Sequence, residues 1–337
     1  MLSIICPIFN EEKYISKCID SILDQDYPMD DLEVLFVDGM SIDKTREIVA
    51  NYRLRYPFIC LLDNPHKIVP YAMNIGIEAS KGDIIIRLDA HAEYPKNYFS
   101  KLVNYLNELD GAENVGGVCI TLPCNQKTIS IVISEALSCS FGMGNSYFRT
   151  GSNGIKSVDT VPFGCFRKSL FKKIGLYDNE LVRNQDDELN GRIIKNGGKI
   201  YLIPEIEIKY FSRDKIKKVW KMFFQYGLYK PLVNKKLGSP ATLRQFFPLM
   251  FVLGILLGGI LSIFSNIILL TYLAVLALYT TIGIQIGIKQ YSKHRRIWII
   301  PLMPFIFYTI HIGYGWGYIC GLYKLIFKKS FIVKSNR

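Results

Sequence analysis

The sequence predicts an α/β fold, a doubly wound and mostly parallel sheet followed by a C-terminal helical membrane anchor. Three observations carry this. Short apolar strands alternate with amphipathic helices through the first half of the chain. Asn10, Asp38 and Asp89 each fall just after an apolar strand, where such sheets bind ligands. Residues 246–327 are mostly apolar, whereas residues 1–240 read as an ordinary globular mixture.

SIICPIF is the first strand. Asn10 suits the cap of a helix over EEKYISKCIDSILDQ, whose Ile15, Ile19, Ile22 and Leu23 share one face. LEVLFVDG and FICLLDN are the second and third strands, separated by the helix DKTREIVANYRLRY. PYAMNIGIEAS is a third helix. DIIIRLDAHA reads as a fourth strand, buried on both faces. GNSYFRTGSNGIKS has the composition of a loop, and VDTVPFGCFRKSLFKKIG gives a strand and a helix. NQDDELNGRIIKNGG is a short helix capped by Asn184 or Asp186 and ended by Gly197-Gly198. The chain divides into a folded domain (1–212), a basic amphipathic interface segment (213–245), membrane segments (246–264, 267–288, 297–327) and a basic tail (328–337).

The net charge of the 337-residue chain is +12. Its lysines and arginines gather beside the apolar region, at Lys215 to Arg244, Lys289 to Arg296 and Lys324 to Lys329. That placement reads as cytoplasmic anchors against anionic lipid. No aromatic-basic recognition motif accompanies it, so nucleic acid is not an expected partner. The eight cysteines have neither zinc nor redox spacing and read as small buried hydrophobes in a reducing compartment. Met1 leads straight into a core strand, so the N-terminal domain is expected in the cytoplasm, attached to the cell membrane by several passes. The first two apolar runs are each long enough to span. The third is too long for one crossing and too short for two, with basic residues on both sides, including Lys334 and Arg337. It is expected to enter and return, broken near Pro301 and Pro304; one tilted crossing is the alternative.

Four groups carry candidate chemistry. Asp38 could accept hydrogen bonds from a base or ribose, or simply cap a helix. Arg87, Asp89 and His91 would share a face of an extended strand, and a carboxylate with an imidazole can ligate a divalent cation. A buried, hydrogen-bonded histidine is the plainer alternative for His91. Asp186, Asp187 and Glu188 open a helix, where carboxylates complement the dipole and one could serve as a general base. Gln225, Tyr226, Tyr229 and Lys230, with Arg213, could contact a donor or lipid phosphate, or form an interfacial aromatic-basic belt.

Together these residues resemble glycosyltransferase family 2, the inverting GT-A enzymes, from Ser3 to about Lys230. PIFNEEKYISKCIDSILDQDYP is similar to the family's first strand and helix. VDGMSID is similar to its VDDGSxD motif, RLDAHAEYP to its DxD motif, and RNQDDELNGRI to its ED motif. The DAH form, with VDTVPFGCFR, is closest to the succinoglycan-type glucosyltransferases of exopolysaccharide synthesis. The resemblance implies a GT-A sheet and a nucleotide-sugar site formed by Pro7, Asn10, Glu11, Asp38, Asn74, Arg87 and Asp89. It implies a divalent metal, Mg or Mn, on Asp89 and His91, and Asp186 as base, with Asp187 second. It implies transfer from a UDP-sugar to a polyprenyl-linked acceptor for exopolysaccharide or capsule, or alternatively to polyprenyl phosphate itself. A non-catalytic sugar-nucleotide-binding scaffold is the rival from another class. Gly39 replaces the second aspartate of VDDGSxD, His91 the last aspartate of DxD, and Gln185 the glutamate before Asp186. The QxxRW motif of processive synthases is absent, which points to one sugar added per acceptor.

Overall fold

The computed structural model describes residues 1–240 and 242–331; Lys334 and Arg337, counted above among the basic flanks, lie outside the described residues. Strand β1 (Leu2–Ile8) is buried along its whole length. Helix α1 (Ile15–Leu23), strand β2 (Leu32–Asp38), helix α2 (Thr45–Arg55), strand β3 (Ile59–Asp63), helix α3 (Val69–Ala79) and strand β4 (Ile84–Arg87) follow. These four strands pair in parallel, in the order β3-β2-β1-β4. Alternation within β1 explains the double layer. Ile4 joins Ile15, Ile19 and Val49 on one face, and Ile5 joins Ala72, Met73 and Ile77 on the other.

The second half mixes strand directions. It comprises β5 (Ala92–Glu93), α4 (Tyr98–Glu108), β6 (Ala112–Leu122), α5 (Thr128–Leu137), α6 (Ser140–Met143) and α7 (Tyr147–Thr150), then β7 (Lys156–Ser157), β8 (Cys165–Arg167), α8 (Lys168–Ile174), α9 (Gln185–Lys195) and β9 (Lys199–Phe211). Strand β8 lies antiparallel between β4 and β6, while β6 and β9 run parallel. This joins both halves in one sheet, β3-β2-β1-β4-β8-β6-β9-β5, with β7 beside β9.

Three local expectations are corrected. Asn10 does not cap the first helix, which begins only at Ile15. Asn10 has φ 54° and instead bridges to the loop after β2: its N–H donates to Ser41 Oγ, and its Oδ1 accepts from the Ile42 N–H. The fourth strand stops at Arg87, so Asp89 and His91 stand in a tight turn before β5 instead of along an extended face. The stretch around residue 150 holds the one-turn helix α7 and the short strand β7, where turn-forming residues had suggested only loop.

Helix α10 (Ile216–Leu237) carries the basic aromatic segment, and α11 (Phe246–Leu261), α12 (Asn266–His294) and α13 (Ile299–Ile326) complete the described chain. All three final helices, the first taken with the turn before it as Leu243–Leu261, are long and apolar enough to cross a membrane. Helix α12 runs six residues beyond the apolar stretch because its basic end is held by the protein. Lys293 Nζ and His294 Nε2 both reach Glu135 of α5, at 2.8 and 2.7 Å. The return turn expected within 297–327 is absent: α13 is one continuous helix with Pro304 inside it. Glycines account for this. An added Cβ at Gly317 would stand 2.1 Å from the Phe224 carbonyl oxygen of α10, and one at Gly315 2.1 Å from that of Pro248 in α11. A straight helix with a glycine face can dock backbone to backbone along its length while keeping its own hydrogen bonds. Half of the most apolar stretch of α13 is accordingly buried, against 11% for that of α11 and 6% for that of α12. Helix α13 thus lies between the α/β domain and the helix pair α11–α12.

Candidate active site

The carboxyl ends of the parallel strands open onto two adjoining cavities. The smaller, about 70 Å³, is lined by Pro7 near the end of β1, Phe9 just beyond it, Gly39 after β2, and Asn64 and Lys67 after β3. The larger, about 850 Å³, holds Asp89, His91, Asp186 and Asp187 and continues to Phe247, Phe251, Tyr279 and His311 of the apolar helices. Arg87, Asp89, Arg183 and Gln185 line both.

The turn after β4 brings Asp89 Oδ1 to 3.5 Å from His91 Nδ1, and Glu11 Oε1 lies 3.7 Å from the same nitrogen. Helix α9 presents Asp186 and Asp187 in its first turn. Asn184, at φ 61°, occupies the capping position, but its side chain donates to the Tyr226 carbonyl at 2.8 Å and so ties α9 to α10. Each aspartate meets one cation. Arg87 Nη1 donates to Asp186 Oδ1, and Lys230 Nζ donates to Asp187 Oδ2 at 2.6 Å. Burial raises the Asp186 carboxyl above the usual carboxylate range, and Arg87 offsets only part of that rise. Burial is the largest influence on the Arg87 guanidinium and disfavours its charge, but Asp186, Tyr177 and Asp89 together outweigh it and hold the guanidinium in its charged form. Arg87 Nε is buried and has no protein partner among the described residues. Glu188, the third acid of the cluster, is committed to Arg192 at 2.7 and 2.8 Å.

Several expected site residues lie elsewhere. Asp38 is fully buried and lines neither cavity. Its carboxylate accepts from the Ser41 N–H at 3.0 Å, from Ser41 Oγ at 2.5 Å and from Arg46 at 2.6 Å. It therefore shapes the loop carrying Gly39 from beneath the cavity floor. Asn74 is also structural: it bonds the Tyr177 carbonyl at 2.8 Å and the Tyr177 N–H at 2.9 Å, fixing the segment that leads to α9. Gln225 is buried and accepts from Arg183 Nε at 3.1 Å, outside both cavities. Pro7 lines the small cavity, and Arg213, Tyr226 and Lys230 line the large one. The sequence reading missed Arg149, Arg183, Arg244 and the helix residues Tyr279, His311 and Tyr314, all lining the large cavity. Only Arg183, two residues before α9 begins, carried a positional signal.

Known proteins resemble this chain in sequence and in fold. The model for "Glycosyl transferase family 2" matches residues 3–175. A dolichyl N-acetyl-α-D-glucosaminyl phosphate 3-β-D-2,3-diacetamido-2,3-dideoxy-β-D-glucuronosyltransferase from Methanococcus voltae is 30% identical over 332 residues, 96% of this chain and 97% of its own. The succinoglycan biosynthesis protein ExoA of Rhizobium meliloti is 31% identical over 262 residues, 77% of this chain and 78% of that one. Among solved structures, the mannosyltransferase PcManGT of Pyrobaculum calidifontis, in complex with GDP-Man and Mn2+, superposes with a TM-score of 0.60 at 17% identity. That match covers 94% of this chain and 87% of the mannosyltransferase. S. aureus TarS 1-349 in complex with UDP gives 0.53 at 15% identity, covering 99% and 94%. The GT-A sheet expected from the motifs is thus the observed fold, and with relatives at this identity along its length the chain belongs to glycosyl transferase family 2.

Proposed function

We propose that this glycosyltransferase inverts the anomeric carbon of a nucleotide diphosphate sugar, a UDP-hexose, as it transfers the sugar to a lipid-linked acceptor in exopolysaccharide or capsule synthesis. One observation carries the reading: a single cavity joins the carboxylates to the apolar helices. The names of the two relatives, one for a dolichyl-linked acceptor and one for succinoglycan, support the acceptor and product classes. In this reading 1–212 is a cytoplasmic catalytic domain, 213–245 meets the membrane surface and 246–327 is the anchor in the cell membrane. The basic flanks of the helices support that orientation.

The nucleoside lies across the mouth of the small cavity, which admits only part of its base, and its diphosphate extends to Arg87 and Arg183 at the junction. A diphosphate oxygen there gives the buried Arg87 Nε its missing acceptor. Asp89 and His91 converge with oxygen and nitrogen donors, and no three-residue metal cluster forms among the described residues. Two ligands suit a Mg or Mn ion that takes its remaining oxygens from phosphates and water. Bound there, the ion would neutralise charge on the leaving diphosphate. The mannosyltransferase that shares the fold is a complex with GDP-Man and Mn2+, which supports these ligand classes. Asp186 accepts the proton of the acceptor hydroxyl while that oxygen bonds to the anomeric carbon. The bond from this carbon to the donor's phosphate oxygen breaks, and the nucleoside diphosphate leaves. Asp187, in the same cavity, is the alternative base.

The test uses purified protein in nanodiscs, a panel of labelled sugar nucleotides and a lipid extract. Label should pass to chloroform-soluble lipid. Label released only to water or soluble sugars would end the lipid-acceptor reading. EDTA should abolish transfer and Mn or Mg restore it, while His91→Asp, the common family pattern, should remain active. Full-rate transfer by metal-free enzyme would remove the metal role of Asp89 and His91. The pH profile offers a further check. A base must be deprotonated, so kcat/KM should fall as pH drops through the raised Asp186 pKa. Arg87→Gln deletes the cation that lowers that pKa and should move the acid limb to higher pH; an unmoved limb would separate Asp186 from the titration.

A further inference from the structure

Helix α13 has the length and composition to cross a membrane, yet both of its ends are fastened to the side of the α/β domain. Just before its start, Lys293 and His294 bond Glu135 of α5, and Arg296 Nη1 donates to the Gln126 carbonyl ahead of α5. Just past its end, the Phe331 carbonyl accepts from the hydroxyl of Tyr229, a fully buried residue of α10. Between those ends the helix rests on the same two elements. Ile299, Met303, Ile306 and Ile310 share one buried cluster with Ile131 of α5 and Val219 of α10. Gly313, Gly317 and Gly321 then follow α10 in the same direction, against Trp220, Phe224 and Leu228 in turn. The 28 residues of α13, about 42 Å by helical rise, therefore run alongside α5 and α10 from end to end.

Helix α10 cannot accompany α13 through hydrocarbon. Lys217, Lys218 and Lys221 are exposed on its first turns. Its later part is bound to the α/β domain, Lys230 to Asp187 and Lys236 to Asp178 at 2.7 Å. Lysines at bilayer depth are costly, and a domain fastened along α10 would have to sink with them. Helices α11 and α12 differ. The runs from Phe246 to Phe264 and from Asn266 to Ile282 hold no charged residue. Helix α11 touches α13 at Pro248 and Val252, and α12 touches it at Gly283 and Gly287. Beyond those points the two run on together, Gly258 against Tyr272, to the turn at Ser265. The surface that α13 leaves uncovered suits this arrangement. Trp298, Phe305, Trp316 and Tyr323 are exposed at spacings close to whole turns, so they form one stripe. By helical rotation the stripe stands about a third of a turn from the residues that face the domain, and those meeting α11 and α12 stand about a third of a turn away on the other side.

We propose that the chain crosses the membrane twice, through α11 and α12, and that α13 lies in the plane of the membrane on the domain's side, with its aromatic stripe set into the lipid. The inference rests on the membrane reading of 246–327 above and on no particular donor or acceptor. Tryptophan and tyrosine suit the boundary between headgroups and acyl chains, and Arg295 and Lys328 at the two ends of the helix meet anionic headgroups. Two crossings return every basic cluster to the domain's side, as the positive-inside rule favours. A third would strand Lys324, Lys328 and Lys329 on the far side. The large cavity, walled in part by His311 and Tyr314 of α13, then lies at the level of the headgroups.

Two measurements on the full chain test it. The first reads sidedness with a membrane-impermeant maleimide, in intact cells and in inside-out vesicles. Leu54→Cys on α2, Asn266→Cys at the α11–α12 turn and Ser330→Cys after α13 are made one at a time, in a chain carrying Cys124→Ser to remove its exposed native thiol. Leu54→Cys and Ser330→Cys should label from one side, and Asn266→Cys from the other. Labelling of Ser330→Cys from the side of Asn266→Cys would overturn the in-plane helix and leave the membrane anchor standing. Labelling of all three from one side would overturn the anchor as well. The second reads depth. With Trp220, Trp298 and Trp316 changed to phenylalanine, Ile312→Trp supplies the only tryptophan, near the middle of α13. A helix in the interface sits only ~5–10 Å deep. In proteoliposomes, lipids brominated beside the headgroup should therefore quench its fluorescence about twofold more than lipids brominated at the chain ends. The reverse order would put the middle of α13 at the bilayer centre and overturn the proposal.

Discussion

Asp186→Asn should lower kcat by about a hundredfold or more, the usual cost of losing a general base, with donor affinity retained. The carboxylate's charge is set by two opposed effects, burial that raises its pKa and Arg87 that lowers it. The amide keeps the shape and the hydrogen bond from Arg87 but cannot take a proton. Because the base acts on the acceptor hydroxyl, the loss should fall on kcat and leave the dissociation constant of the nucleotide sugar near its wild-type value. Asp187→Asn is the necessary companion, since that carboxylate shares the cavity and is held by Lys230 at 2.6 Å. Single-turnover kinetics on both variants decides the assignment. Near-wild-type turnover in Asp186→Asn with a collapse in Asp187→Asn would transfer the role to Asp187.

Gly227→Val should strip the protein of both stability and activity. An added Cβ there would lie 1.9 Å from the Tyr314 carbonyl oxygen and 2.8 Å from the Tyr318 nitrogen, backbone atoms that cannot swing aside. Helices α10 and α13 would have to separate, at about 1–3 kcal/mol or more for overpacking of this kind. The same movement would carry Tyr226 and Lys230, which flank the site from α10. Gly254→Val is the control, because nothing lies within 4 Å of its added Cβ. Thermal denaturation in detergent with parallel transfer assays should separate the two variants. Wild-type behaviour of Gly227→Val would show that the α10–α13 contact bears no load.

The sequence conveyed most where period and motif act over short range. The parallel strands, the acids of α9 and the apolar helices were legible because each rests on local alternation, capping chemistry or hydrophobic run length. Asp38 was legible as an acid at a strand end but not as a buried one, since its partner Arg46 is eight residues away on the next helix and only the folded loop brings them together. Asp89 and His91 were paired correctly for a reason that does not hold: a turn, not strand alternation, brings them together. Arg149 and the cavity-facing residues of α13 gave no signal. Their neighbours come from β9, α10 and α11, far away in sequence, and a glycine-rich apolar run looks alike whether it faces lipid or protein.

Helix α13 has a kinetic consequence for the enzyme as proposed. It is clasped to α10 by Gly227, Gly317 and Gly321, which allow backbone contact, so the catalytic domain is no tethered ball swinging on a linker. A soluble donor arrives from three dimensions, but an acceptor confined to the bilayer arrives by diffusion in a plane, and the product must depart the same way. Its surface density and the fluidity of the surrounding lipid, more than bulk concentration, then govern how often the site is refilled.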